Sequence, residues 1–451
     1  MKIQIPRRVN RILDVLKNHN HEGYIVGGCV RDSILGREPN DWDICTNCRP
    51  ERMLEIFNVF KVIPTGLKHG TVTIVIENEH FEVTTFRIDK DYNDGRRPDR
   101  VEFTGDLRED LKRRDFTINA MAYGRSEGLI DYYGGVDDIA IKKIRCVGEP
   151  RQRFSEDYLR MLRAVRFSNQ LGYELESNTF KAIEELSNNI VHISKERIRE
   201  ELNKILLSDK PSTGFMLLLE TGLLQYIVPE MLRCVNFDQR NPHHHKDVFN
   251  HTMIVLDNTE KDLVLRLAAL LHDIAKPLCF SIDDEGVGHF YSHHIKGMDM
   301  SEEILKGLKY DNQTINLVKA LVKEHMSKFN ELTPKIVKRL INRVGPDNME
   351  RLFKLQRADV KGSNEPHDFS GIEKIEELYV KIINEKQPLS VKDLEVNGRD
   401  LMNLGIPQGK EIGRMLEKLL ERVLDNPETN RRALLINEVK DILLEKERKK
   451  C

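Results

Sequence analysis

The hydrophobic pattern changes period near residue 140, and that change limits the architectures open to the chain. Before it, runs such as "GTVTIVI" and "HFEVTTFRI" are rich in β-branched residues and bounded by turns, which predicts strands. After it, "YLRMLRAVRFSNQL" and "ERIREELNKILL" space apolar residues by three and four, which predicts amphipathic helices. An α/β head followed by an almost wholly helical remainder is therefore expected. At 451 residues the chain is too long for one core, so about two to four domains are expected. "NPHHHKD" at 241–247 and "NEKQPLS" at 384–390 are polar, proline-containing breaks that suit boundaries.

Composition removes several classes. No apolar run reaches the roughly 20 residues needed to cross a bilayer, and no signal peptide opens the sequence, so a cytoplasmic protein without membrane contact is expected. Seven scattered cysteines, an odd number, point to reduced thiols and away from a disulfide framework. Cys45 and Cys48 form a CxxC with no second pair to complete a metal site. The net charge of −2 hides a basic belt, because Ile139–Arg166 carries eight Lys and Arg against three acids.

The stretch "YIVGGCVRDSILGREPNDWDICT", Tyr24 to Thr46, carries the first chemical signal. Asp41 and Asp43 are two apart, and on a strand they share a face. Two adjacent anions repel unless a cation stands between them, and Mg²⁺ prefers carboxylate and phosphate oxygens. Gly27 and Gly28 let backbone N–H groups approach a phosphate. A Gly-Gly hairpin with surface aspartates is the plainer alternative. A second cluster, "EDLKRRDFTINAMAY", sets Arg113, Arg114, Asp115 and Asn119 ahead of an apolar run. In a third, "RQRFSEDYLRMLRAVRF", helical spacing would line Arg153, Asp157 and Arg160 along one face and pair Glu156 with Arg160; structural ion pairs explain the same spacing.

In order and spacing, "GGCVRD", "DWD", "DGRRP", "RRDFTINA", "DYYGG", "EDYLRMLRAVRF" and "ERIREEL" resemble the class II nucleotidyltransferases, the CCA-adding enzymes of tRNA and the related bacterial poly(A) polymerases. The likeness covers roughly residues 20 to 205 and continues weakly beyond. It implies an α/β polymerase-β-like nucleotidyltransferase head (1–140), an all-α neck that recognises the base (141–205), a helical body (206–385) and a helical tail that binds tRNA (386–451). Asp41 and Asp43 would hold two Mg²⁺ ions, with Glu82 as a third carboxylate. Gly27, Gly28 and Arg31 would bind phosphates, and Arg114, Asp115 and Asn119 the ribose and triphosphate. Arg163 and Arg166 join the nucleotide-binding set. Asp157 and Arg160, steadied by Arg153 and Glu156, would read the Watson–Crick edges of cytosine and adenine, so that ATP and CTP are the substrates and the protein serves as its own template. The charged segment Arg87–Pro98 resembles the loop of enzymes that add the whole CCA. An A-adding enzyme or a poly(A) polymerase is the nearest alternative, and a monomer or a homodimer fits equally.

A further set, His251, His272-Asp273, His293, His325 and Asp359, resembles in type and order the HD superfamily of metal-dependent phosphohydrolases, placing that module at about 245–365. The resemblance implies a transition metal such as Mn²⁺ or Ni²⁺ that activates water against a phosphate ester; a retained fold without activity is the alternative, as is an HD phosphodiesterase with an RNA-binding head. His243–His245 have no reading beyond a turn. Glycines around 398–413 suit either a phosphate contact on a tRNA arm or a packed cap.

Overall fold

The computed structural model describes residues 2–90, 100–240, 246–327, 329 and 331–448. Most of the Arg87–Pro98 segment, and His243–His245, lie outside them. The chain forms two compact units, residues 1–232 and 233–451.

The first unit is built on a mixed sheet. Its strands are β1 (Gly23–Val26), β2 (Ile44–Thr46), β3 (Lys61–Gly66), β4 (Thr71–Ile76) and β5 (Glu79–Thr85). A separate ribbon of β6 (Arg87–Lys90) and β7 (Arg100–Phe103) follows, and then β8 (Met121–Gly124) and β9 (Gly128–Asp131) rejoin the sheet. The order is β3-β4-β5-β2-β1-β8-β9, antiparallel throughout except for the parallel pair β2 and β5. The strands expected in "GTVTIVI" and "HFEVTTFRI" are β4, β5 and the start of β6. In β4, Val72, Ile74 and Ile76 are buried while Thr71, Thr73 and Val75 are half-buried, the alternation of a sheet with one face on the core. Glu77 and Asn78 turn the β4–β5 hairpin with φ of 52° and 66°, the left-handed pair that matches strand twist.

Helices complete this unit. Pro150–Glu156 and Leu159–Leu171 are separate helices, broken at Asp157, whose backbone is extended at φ −152° and ψ 104°. Helix Leu159–Leu171 buries Met161, Leu162, Ala164 and Val165 and packs on helix Lys195–Leu206.

Among the described residues, the second unit is helical apart from a small hairpin, Phe280–Ile282 with Gly288–Phe290. At its C-terminal end Leu419, Leu420, Val423, Leu435 and Val439 form a tight apolar cluster. Helix Pro334–Val344 is joined to helix Lys410–Asp425 by Lys335–Asp425 at 2.7 Å and by the buried Lys338, which donates to the Leu424 carbonyl at 3.2 Å. No helix among the described residues is long and apolar enough to cross a membrane.

Phe86 is fully buried beside Tyr24, with ring centroids 6.2 Å apart, in an apolar cluster that also takes in Val26 and Cys45 of the central strands. Phe86→Ala should destabilise the head by about 3–5 kcal/mol. Denaturant unfolding followed by the fluorescence of Trp42, the single tryptophan, measures this, and a loss below about 1 kcal/mol would place the core elsewhere.

Candidate active site and metal centre

Asp41 and Asp43 stand just ahead of β2 and not within it, so the two-residue strand spacing alone does not set their directions. Backbone pairing still extends to Asp43, whose carbonyl accepts from Val26 N–H at 3.0 Å. In the parallel register of β2 and β5, Ile44 lies opposite Val83, so one step earlier Asp43 stands beside Glu82. Burial is the main reason that the Asp43 carboxyl is pushed up to about 6; Arg114 pulls the other way, and Asp41 and Glu82 add like-charge repulsion. Three carboxylates crowded in this way fit a hard divalent cation, which their oxygens would hold together with substrate phosphates. They lie further apart than the ligand sets of the second unit, since among the described residues only those sets bring three or more ligand atoms within 4.8 Å of one another.

Beside the carboxylates runs a chain of hydrogen bonds. Gly27 has φ 82°, and a Cβ there would stand 2.9 Å from Arg114 Nη1, so only glycine lets that guanidinium lie against the turn. Gly28 opens the helix Gly28–Ile34, which carries the buried Arg31. Arg31 donates to Asn119 Oδ1 at 2.7 Å, and Asn119 donates to Asp115 Oδ1 at 3.3 Å. Asp115 also accepts from Phe116 N–H at 2.8 Å and from Arg163 at 2.8 and 2.6 Å. Burial raises the Asp115 carboxyl, but Arg163 and then Arg160 overrule it and hold it at about 2. The chain thus ties the turn Thr117–Asn119 to two helices of the same unit.

The third cluster differs from its sequence expectation. The break after Glu156 removes the single helical face that would have carried Arg153, Asp157 and Arg160. Asp157 Oδ1 accepts from the N–H of Leu159, the first residue of the second helix, at 3.1 Å. Arg160 donates to Glu156 at 2.5 Å, to the Arg153 carbonyl at 2.9 Å and to the Arg113 carbonyl at 3.2 Å. The expected Glu156–Arg160 pair is thus present, and Glu156 also gathers Arg153 at 2.7 Å. Asp157 instead pairs with Arg197 of helix Lys195–Leu206, at 2.7 and 3.3 Å. Arg197 carries no mark of its own beyond the motif "ERIREEL", and its partner is 40 residues away. One turn further along the same helix, Glu201 pairs with Arg166 at 2.7 Å.

The second unit brings His251, His272, Asp273, His293, His325 and Asp359 together at the ends and faces of five helices. Two ligand sets emerge, one of His251, His272, Asp273 and Asp359 and another of Asp273, His293 and His325. They share Asp273. Its Oδ2 lies 3.2 Å from His272 Nε2, and its Oδ1 lies 3.4 and 3.7 Å from Nε2 of His293 and His325. Nδ1 of His272, His293 and His325 meets the carbonyls of Ala269, Phe290 and Val322 at 2.8, 2.7 and 2.7 Å. A carbonyl only accepts, so Nδ1 carries the proton and Nε2 turns its lone pair inward, the orientation of a metal-ligating histidine. Burial would lower the His272 pKa, yet Asp273 and Asp359 raise it to about 10, a demand for positive charge that a metal ion also meets. A cavity of about 670 Å³ opens onto Asp273, His325 and Asp359, with Lys276 Nζ 2.7 Å from Asp273 Oδ2.

The chain matches three family models: the "Poly A polymerase head domain" over residues 23–145, the "Probable RNA and SrmB- binding site of polymerase A" over 172–234, and tRNA nucleotidyltransferase domain 2 over 290–439. It is 31% identical to the CCA-adding enzyme of Pediococcus pentosaceus over 95% of this chain and 96% of that one, and 33% identical to that of Ligilactobacillus salivarius over 96% of each. The chain belongs to the CCA-adding enzymes. Among solved structures, the Bacillus stearothermophilus CCA-adding enzyme in complex with CTP matches with a TM-score of 0.70 at 27% identity, covering 99% of this chain and all of that one. The enzyme is therefore a tRNA nucleotidyltransferase that uses a divalent metal, and its head is the polymerase-β-like fold that the motifs implied.

Removing Arg197 leaves the half-buried Asp157 carboxylate without its bidentate donor. Arg197→Ala should cost about 1–3 kcal/mol, and Arg197→Lys should recover part of it. Thermal melting of both variants checks this; equal, parental melting of the two would mean that the pair contributes nothing to stability.

Proposed function

We propose that the enzyme adds C, C and A in turn to the tRNA 3′ end by two-metal-ion nucleotidyl transfer, with ATP and CTP as substrates. The observation that carries the reading is the assembly, within one unit, of the Asp41, Asp43 and Glu82 carboxylates, the Arg31–Asn119–Asp115–Arg163 chain and the Glu156–Arg160 pair. Asp41, Asp43 and Glu82 would hold Mg²⁺, which would supply acidity to the primer hydroxyl and charge for the leaving pyrophosphate. Arg31, Arg114, Asn119 and Arg163 orient the triphosphate and ribose. Asp157 accepts from the amino group of cytosine or adenine, and Arg160 donates to the neighbouring ring nitrogen. Uracil and guanine place a carbonyl before the carboxylate and are refused. The partners found for both residues support this, since Glu156 fixes Arg160 while Arg197 fixes Asp157 and leaves carboxylate lone pairs for a base. With tRNA as the substrate, the working location is the cytoplasm.

Incubating the protein with tRNA lacking its 3′ end and each NTP, singly and together, tests the reading. Full CCA addition needs CTP first and then ATP, whereas an A-adding enzyme or a poly(A) polymerase would extend with ATP alone. Asp41→Ala or Asp43→Ala should abolish addition and leave tRNA binding nearly intact, because phosphate contacts elsewhere hold the RNA. Near-normal addition by either variant in Mg²⁺ would remove the metal assignment.

For the second unit we propose a phosphohydrolase centre in which the two ligand sets around Asp273 hold Mn²⁺ or Ni²⁺ and the adjoining cavity admits a phosphate ester. The inward-facing Nε2 lone pairs support the metal. His272→Ala with Asp273→Ala should lose bound metal by elemental analysis and lose any hydrolysis of 2′,3′-cyclic nucleotides or phosphate monoesters, while CCA addition persists. Parental protein without metal or hydrolysis would make the module a scaffold.

A further inference from the structure

Three guanidinium groups converge on one aromatic ring beside the nucleotide-binding chain. Phe167, nearly buried on helix Leu159–Leu171, has Arg166 over its ring at 3.9 Å from the centroid, Arg31 at 5.2 Å and Arg163 at 5.4 Å. Phe116 meets it edge-on at 5.8 Å and 78°, which fixes the plane of the ring. The three cations come from two helices, and each also has its own polar partner: Asn119 and Asp32 for Arg31, Asp115 for Arg163 and Glu201 for Arg166. The ring is what they share.

Like charges gathered so closely repel. Burial lowers the Arg166 pKa to about 10, and Arg163 and Arg31 add to the lowering despite Glu201. Each of the three already has a carboxylate beside it, Asp32 for Arg31, Asp115 for Arg163 and Glu201 for Arg166, which relieves part of the repulsion. An aromatic face attracts cations through its quadrupole and leaves their charge in place.

We propose that Phe167 is a positioning residue for nucleotide binding, its ring holding Arg31 and Arg163 in the geometry from which they meet the triphosphate. The proposal rests on the assignment of those arginines to the nucleotide site. Because the triphosphate is common to CTP and ATP, loss of the ring weakens both alike. Base choice, which depends on Asp157 and Arg160, does not change. Phe167 touches no reacting atom, so its effect falls on KM and not on kcat.

The test measures kcat and KM for CTP and for ATP on tRNAs ending one step short, for Phe167→Leu, Phe167→Tyr, Arg31→Ala and Arg163→Ala, each with a melting curve. Phe167→Leu should raise both KM values by about tenfold, the scale of one or two weakened cation–π contacts, with kcat within about twofold of the parent. Phe167→Tyr keeps the ring and should restore near-parental KM. Phe167→Leu with parental KM, or equal impairment of Leu and Tyr variants at parental melting temperature, overturns the inference. If Phe167→Leu melts below the assay temperature, Phe167→Met takes its place under the same criteria. Parental KM values in Arg31→Ala and Arg163→Ala would instead overturn the nucleotide-site assignment, so the two failures are distinguishable.

Discussion

The buried carboxylate of Asp115 is the interaction on which the first unit depends. Taking a carboxylate out of water is costly unless donors meet it, and here they come from three places: the Phe116 N–H, the Asn119 amide and the Arg163 guanidinium. Asn119 in turn holds Arg31, and Arg163 belongs to helix Leu159–Leu171, which also carries Arg160. One anion therefore ties the turn Thr117–Asn119 and helix Gly28–Ile34 to the helix that carries Arg160. The site is a set of charges whose partners are themselves charges, which keeps long arginine side chains in single conformations before substrate arrives.

Both units use the same physics for different ends. In the head, carboxylates crowd at a half-exposed edge, where a hydrated hard cation and substrate phosphates can complete them. In the second unit Asp273 is buried among histidines locked by backbone carbonyls, a softer donor set suited to transition metals. Donor chemistry and burial separate the two proposed centres, and each unit holds all the residues proposed for its own.

Much of this was legible in the sequence. Alternating "TVTIVI" predicts β4 because period two has one buried face, and the histidines and aspartates whose order resembles the HD superfamily are gathered around Asp273. What was not legible depends on single residues or distant partners. The three-four spacing runs unbroken through "RQRFSEDYLRMLRAVRF", yet Asp157 turns extended and its side chain accepts from the N–H of Leu159, where the next helix starts. Arg197 and Glu201 are ordinary helix charges until Asp157 and Arg166 are brought to them. Asp41 and Asp43 fall ahead of β2, which starts at Ile44, although the Asp43 carbonyl still accepts from Val26 N–H. The hairpin at 280–290 leaves no signal in the sequence because its strands are three residues each, too short for a period to show.

The central claim is that the protein alone reads the base. Equilibrium binding of CTP, ATP, UTP and GTP to the full chain in Mg²⁺, without any RNA, followed by Trp42 fluorescence or calorimetry, tests it most directly. The account predicts that CTP and ATP bind at least about tenfold more tightly than UTP and GTP, the scale of a single hydrogen bond to the base edge made or refused. Equal binding of all four nucleotides in the absence of tRNA would contradict it.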